Sequence, residues 1–144
     1  MIVRAPRLVI SHRPTRRDHL HGAWWPYSTD IDREIAPVLS TVAARFHVVL
    51  GVMLNRDEWL GAPLGAPPLS VGRVKVSWYG LTEPHLMVLR CGDARRIALL
   101  VLPPDTPEPI ALSATLLASA PGNSLTTNET LARARVQAEA LEPS

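Results

Sequence analysis

Trp24 and Trp25 stand side by side in the string His19-Leu20-His21-Gly22-Ala23-Trp24-Trp25-Pro26, and tryptophan supplies four of the chain's seven aromatic residues. An indole left exposed beside polar groups suits a sugar, a nucleobase or a Pro-rich peptide. Successive side chains of an extended segment face opposite ways, so one indole should enter the core while the other lines a groove. Pro26 and a helix starting near Asp30 should pull Trp25 onto the sheet and leave Trp24 outward. His19 and His21 would share one side of the same segment, and Asp30 and Asn55 could add polar groups to a cleft there. Trp59, four residues beyond Asn55, completes the set of candidate binding residues: Trp24, Trp25, His19, His21, Asp30, Asn55 and Trp59.

Other chemistries find less support in residue type and spacing. The His19-x-His21 pair needs a third ligand for zinc or iron. Asp30 or Asp32 could supply one, and Glu83 with His85 gives a thin match to a later Glu and His on neighbouring strands, but no spacing demands a metal and none is expected. Cys91, the single cysteine, excludes an intrachain disulfide and a cysteine-rich metal site. It lacks a nucleophile signature and reads as a small buried thiol. The chain contains no Gly-x-Ser-x-Gly elbow, phosphate loop or dinucleotide fingerprint, so no cofactor is implied. Asp57 and Glu58, in an apparent loop beside Trp59, read as solvated charges.

The elements that must position these residues are legible in part. Ile31, Ile35, Val38, Leu39, Val42 and Phe46 recur at helical spacing, predicting a helix over 30–46 with Asp30 as its cap and Pro37 as a kink or a fresh start. Leu8–Ile10, Val48–Leu54, Arg73–Trp78, Leu86–Cys91 and Ile97–Leu102 read as strands, the third with one wet face. Gly92-Asp93-Ala94 predicts a hairpin turn, and Ile97–Leu102, apolar on both faces, belongs at the centre of a sheet. Gly61, Pro63, Gly65, Pro67 and Pro68 mark Arg56 to Leu69 as a long loop without regular structure. Thr106 and Pro107 open a second helix that buries Ile110, Ala114, Leu117 and Ala118 and ends before Pro121-Gly122. Short connections between Val71 and Leu102 favour antiparallel pairing. The fold class is therefore α+β: a mainly antiparallel sheet of four to five strands with two helices packed on one face.

Length and composition agree. At 144 residues and 47% hydrophobic content the chain holds about one domain with a real core. That domain should span 1–120, its first 18 or so residues a basic arm. Residues 121–144 should form a polar tail, weakly helical or disordered, whose stripe of Leu131, Ala134, Ala138 and Leu141 buries little area. The longest wholly apolar run, Ile97–Leu102, is far below the ~20 residues of a spanning helix, and no secretory signal is apparent. A cytoplasmic location without a membrane partner is expected. Net charge is only +2, although all basic residues but Lys75 are arginine, and Arg4, Arg7, Arg13, Arg16 and Arg17 crowd the first 21 positions.

The Gly22-Ala23-Trp24-Trp25-Pro26 string, the Asn55-x-x-x-Trp59 segment and the ending Leu99-Leu100-Val101-Leu102-Pro103-Pro104-Asp105-Thr106-Pro107 together resemble a small actinobacterial family of unknown function. The resemblance covers about residues 7–118 and implies one compact α+β domain, with no activity attached. His21 and Tyr27 stand where that family often has Asp and Arg, so an acidic role at the first position does not carry over.

Three classes of function follow. The leading one is a non-catalytic binding or regulatory module using the Trp-lined surface, with a protein partner or a second copy of the chain. The alternative is a small enzyme with a cleft of His19, His21, Asp30 and Asn55 beside Trp24 and Trp25. The second alternative is Arg-mediated nucleic-acid binding through the N-terminal segment.

Overall fold

Alternation of apolar side chains on two faces builds a three-layer α+β structure. The computed structural model describes residues 5–46, 48–59, 74–79, 83–92 and 95–141. Within them the chain forms β1 (Arg7–Ile10), β2 (Gly22–Trp25), α1 (Ile31–Arg45), β3 (Val49–Asn55), a short 3₁₀ turn (Arg56–Glu58), β4 (Lys75–Tyr79), β5 (Leu86–Cys91), β6 (Arg96–Val101), α2 (Glu108–Ser119) and α3 (Thr127–Leu141). Arg4, most of the Gly- and Pro-rich loop and the Asp93-Ala94 turn lie outside the described residues.

The six strands form one mixed sheet in the order β1-β2-β6-β5-β3-β4. Pairing is antiparallel for β1/β2, β6/β5 and β5/β3, but parallel for β2/β6 and β3/β4. The expectation of four to five mainly antiparallel strands is corrected in two places. Gly22–Trp25, expected only to approach α1 in an extended or turning conformation, is a strand, because β1 pairs with it on one side and β6 on the other. The segment with one wet face, β4, takes the sheet edge, and the more apolar β3 inserts between it and β5. Ile97–Val101, buried throughout, runs through the interior of the sheet as its two-sided apolarity requires.

The two helices expected on one face lie on opposite faces. Helix α1 covers one with Ile31, Ile35, Val38, Leu39 and Val42, which meet Val52, Leu54, Met87, Leu89, Ile97 and Leu99. Helix α2 covers the other, where Ala111, Ala114 and Ala118 meet Ala23, Leu100 and Leu102. Because β6 is apolar on both sides, each face needs its own helix. Pro37 sits inside α1 without ending it. Pro107, not Thr106, occupies the α2 cap position, and the Thr106 hydroxyl turns back to donate to Pro103 O at 2.7 Å.

Residues 121–144, expected to be loosely attached, include α3, whose Leu131 and Ala134 join the α2-side core. Alanine faces on both α2 and α3 let the helix axes approach closely, so a thin stripe suffices. Asn123 fastens this layer to the segment that leads into β2. Its side chain accepts from Leu20 N at 2.9 Å and donates to Leu20 O at 2.7 Å and Ala120 O at 2.9 Å. Asn123→Ala should therefore cost about 2–3 kcal/mol in urea unfolding, since it strands the main-chain groups of buried Leu20.

Gly22 is required at the start of β2. Its φ is 153°, and a Cβ there would lie 2.0 Å from Val9 O.

Candidate functional site

The strands β2, β3 and β6 end, and β5 begins, at one edge of the sheet. There the Pro26–Thr29 segment, the Asp57–Trp59 segment, His85 and the Val101–Asp105 segment enclose a cleft of about 590 Å³. That volume falls within the usual range for small-molecule sites. Each wall has a local cause. Asn55 ends β3 and accepts from Asp57 N at 3.0 Å through its side chain, which closes the 3₁₀ turn and delivers Glu58 and Trp59 to the cleft. Buried Glu34 of α1 accepts from Tyr27 N at 2.7 Å and from the Ser28 hydroxyl at 3.1 Å, fixing the opposite wall. The Trp25 indole N–H donates to Pro104 O at 3.3 Å and ties that wall to the Pro103-Pro104 segment.

The polar centre is a pair. His85 Nδ1 contacts Glu58 Oε2. His85 has φ 57°, the only described non-glycine residue with positive φ. Such backbone is uncommon outside glycine and persists where surrounding structure holds it. Here the His85 carbonyl accepts from Val101 N at 2.8 Å. Glu58 Oε1 and Trp59 Nε1, both on residues of the cleft wall, are buried without a hydrogen-bond partner among the described residues. Native interiors leave few such groups unpaired. Tyr79 lies within electrostatic reach. Burial first, and then the charges of Glu58 and Glu83, push its phenol far above the usual value, so it stays protonated and donates to Leu86 O.

The structure separates the residues singled out from the sequence. Trp24 and Trp25 do take opposite faces, but the expected exposure is reversed. Trp24 is 1% exposed within the α1-side core, and half-buried Trp25 lies on the other face. Helix α1 covers Trp24's face of the sheet, while Trp25 borders the cleft loop. The Arg7 guanidinium sits 3.7 Å from the centre of the Trp25 ring and 4.1 Å from that of Tyr27. Trp24 stacks on Trp59 with centroids 5.3 Å apart, so it supports the cleft wall from behind.

His21 is buried and fully engaged. Its Nδ1 accepts from Ala98 N at 2.9 Å and its Nε2 donates to Thr15 O at 2.7 Å, which together fix the tautomer. His19 points elsewhere, 3.0 Å from Glu83. Asp30 is exposed at the start of α1, and its side chain makes no capping bond. Of the seven, Trp59 alone lines the cleft, with Trp24, Trp25 and Asn55 positioning its walls. Among the described residues no three His, Cys, Asp or Glu side chains converge as a metal site. Cys91 is buried in the core. Glu58 and His85 were missed as a pair because 27 positions separate them and neither carries a motif.

A cleft at the edge of a mixed sheet, walled by prolines and an indole and centred on a His–Glu pair, defines a small α+β domain with a ligand-sized site. Residues 7–118 match the family of unknown function DUF5994, and the chain belongs to that family. No curated protein and no solved structure is detectably similar to it. No helix among the described residues is long and apolar enough to cross a membrane.

Proposed function

We propose that this protein is a cytosolic, non-catalytic binding module whose ligand occupies the cleft between Trp59, His85 and the Pro103-Pro104 segment. The observation that carries this reading is His85, held in left-handed backbone against Glu58 at the mouth of a ligand-sized cavity. That conformation sets the imidazole against Glu58 on the cleft wall, beside the Trp59 ring. The fitting ligand is a small, mostly apolar molecule that packs against Trp59 and the Pro103-Pro104 segment and carries a polar group for the His85–Glu58 pair.

The test is a fragment screen by protein NMR, read at the Trp59 indole resonance. Mostly apolar fragments carrying a polar group should shift that resonance in the native protein. Glu58→Gln, which keeps the shape, should weaken them about three- to tenfold, the scale of one hydrogen bond to a charged group. Fragments that bind both proteins equally, or a screen without a cleft binder, would overturn the proposal.

A second reading, a small enzyme, draws on the same pair. Glu58 on Nδ1 leaves Nε2 as the ring's remaining nitrogen, an arrangement that can orient an imidazole for proton transfer. Recovery of bound fragments unchanged supports the module, and their conversion supports the enzyme.

A further inference from the structure

On the face of the sheet that α2 covers near β2, the strand register aligns a row of cations. Lys75 of β4 pairs with Gly51 of β3, Gly51 with Arg90 of β5, and Arg90 with Arg96 of β6. Paired residues on neighbouring strands share a face, so the three cationic side chains stand in one line across four strands. All three are exposed. Gly51 contributes no side chain, and the Arg90 guanidinium lies across it: a Cβ at Gly51 would be 3.8 Å from Arg90 Nη2. The row continues into a groove of about 370 Å³ where Arg16 and Arg17 join Arg96.

Two further observations set the chemistry. Among the described residues, none of these five cations has a carboxylate within ion-pair distance. The carboxylates lining the groove are already engaged. Asp18 accepts from Gly122 N and from Thr15 N at 3.1 Å, and Glu83 accepts from Thr127 N at 2.8 Å and contacts His19. Burial raises the Asp18 carboxyl, but those N–H donors hold it below the ordinary range, so it remains an anion committed to the fold. Moreover, Arg90 and Arg96 are direct cross-strand partners, an arrangement of like charges that destabilises a sheet. A bound polyanion would reverse that cost. The next row along the face holds Ser77, Met53 and Val88, of which Met53, 47% exposed, sets one apolar side chain beside the charges.

We infer that this sheet face binds the phosphate backbone of a single-stranded nucleic acid, with Lys75, Arg90, Arg96, Arg16 and Arg17 tracking the phosphates and Met53 beside the bases. Cations in a line, with no carboxylate paired to them, match the regularly repeated charges of a phosphate backbone, and Met53 offers a base an apolar contact beside that line. These residues differ from the cleft, so the two proposals stand or fall separately.

The test is fluorescence anisotropy of a labelled 12-nucleotide oligothymidylate with the full chain, from 50 to 200 mM salt. Five phosphate contacts predict a log–log slope near −3.5 and an affinity loss of about 100-fold over that range. The Arg90→Gln, Arg96→Gln double variant should lower the slope by about 1.4. Its melting temperature should hold or rise, because the like-charge pair is gone. The proposal is overturned if the oligonucleotide does not bind, if the double variant binds with the native slope, or if an oligoglutamate of equal charge competes as well as unlabelled oligothymidylate.

Discussion

Trp24→Ala should lower the unfolding free energy by about 3–5 kcal/mol, the range for removing a large aromatic from a packed core. The side chain is 1% exposed and touches both the α1-side core and the Trp59 ring. Trp25→Ala should cost much less, about 1–2 kcal/mol, from its hydrogen bond to Pro104 and the stacked Arg7. Urea titrations of the two single variants give the contrast. A Trp24→Ala, Trp59→Ala cycle isolates the stack itself, for which a coupling of about 0.5–1.5 kcal/mol is expected. Because Trp24 lies behind the cleft wall, its loss should also broaden the Trp59 indole resonance. Equal, small losses for Trp24 and Trp25 would contradict the burial described above.

Val42→Asp should cost at least about 3 kcal/mol or yield an insoluble product. Val42 is completely buried in the middle of α1's apolar stripe, among core neighbours that offer a carboxylate nothing to pair with. Ala43→Asp, one position along on the exposed side of the same helix, is the control and should cost only about 1 kcal/mol, from lower helix propensity and a carboxylate in the last turn. The pair of variants separates a packing effect from a helix-propensity effect, because both place the same residue in the same helix.

What the sequence made legible follows from how far each signal reaches along the chain. Helix α1 is local: six apolar residues at helical spacing identify both its existence and its buried face. The interior place of β6 is local too, since Ile97–Val101 has no polar side to offer water. By contrast β2 is four residues long, begins at a glycine and ends before a proline. It pairs with β1 along its whole length, and it takes an inner place in the sheet because Ala23 and Trp24 also meet Leu100 and Val101, far along the chain. Helix α3 was undervalued because alanine buries little area by itself. What area arithmetic omits is that alanine on both α2 and α3 allows the helices to close on one another.

The candidate cleft was legible at Trp59 and at the residues that brace it, but its polar centre was not. Met53 pairs with Val88 across β3 and β5, so residues leaving β3 must meet residues entering β5. That register brings Glu58 to His85. No spacing along the chain encodes it. Likewise the cation row exists only once Lys75, Gly51, Arg90 and Arg96 are placed on four adjacent strands. Of the arginines concentrated near the N-terminus, Arg16 and Arg17 extend that row, whereas Arg7 is occupied by Trp25 and Tyr27.

The parallel pairing of β2 with β6 also governs how the molecule can be made on a ribosome. The β1–β2 hairpin emerges first, but the inner edge of β2 has no partner until Leu100 and Val101 have been synthesised. At about 5–20 residues per second that interval lasts roughly 4–15 s, during which Trp24 and an open strand edge lie uncovered. The pairs β3/β5 and β5/β6 form between nearer segments, so they can assemble beforehand and present β6 as a template. The N-terminal hairpin therefore docks late although it is translated early. A nascent chain arrested before β6 would carry an unpaired apolar strand and should be a client for chaperones, whereas one arrested after α2 should already be able to close the sheet.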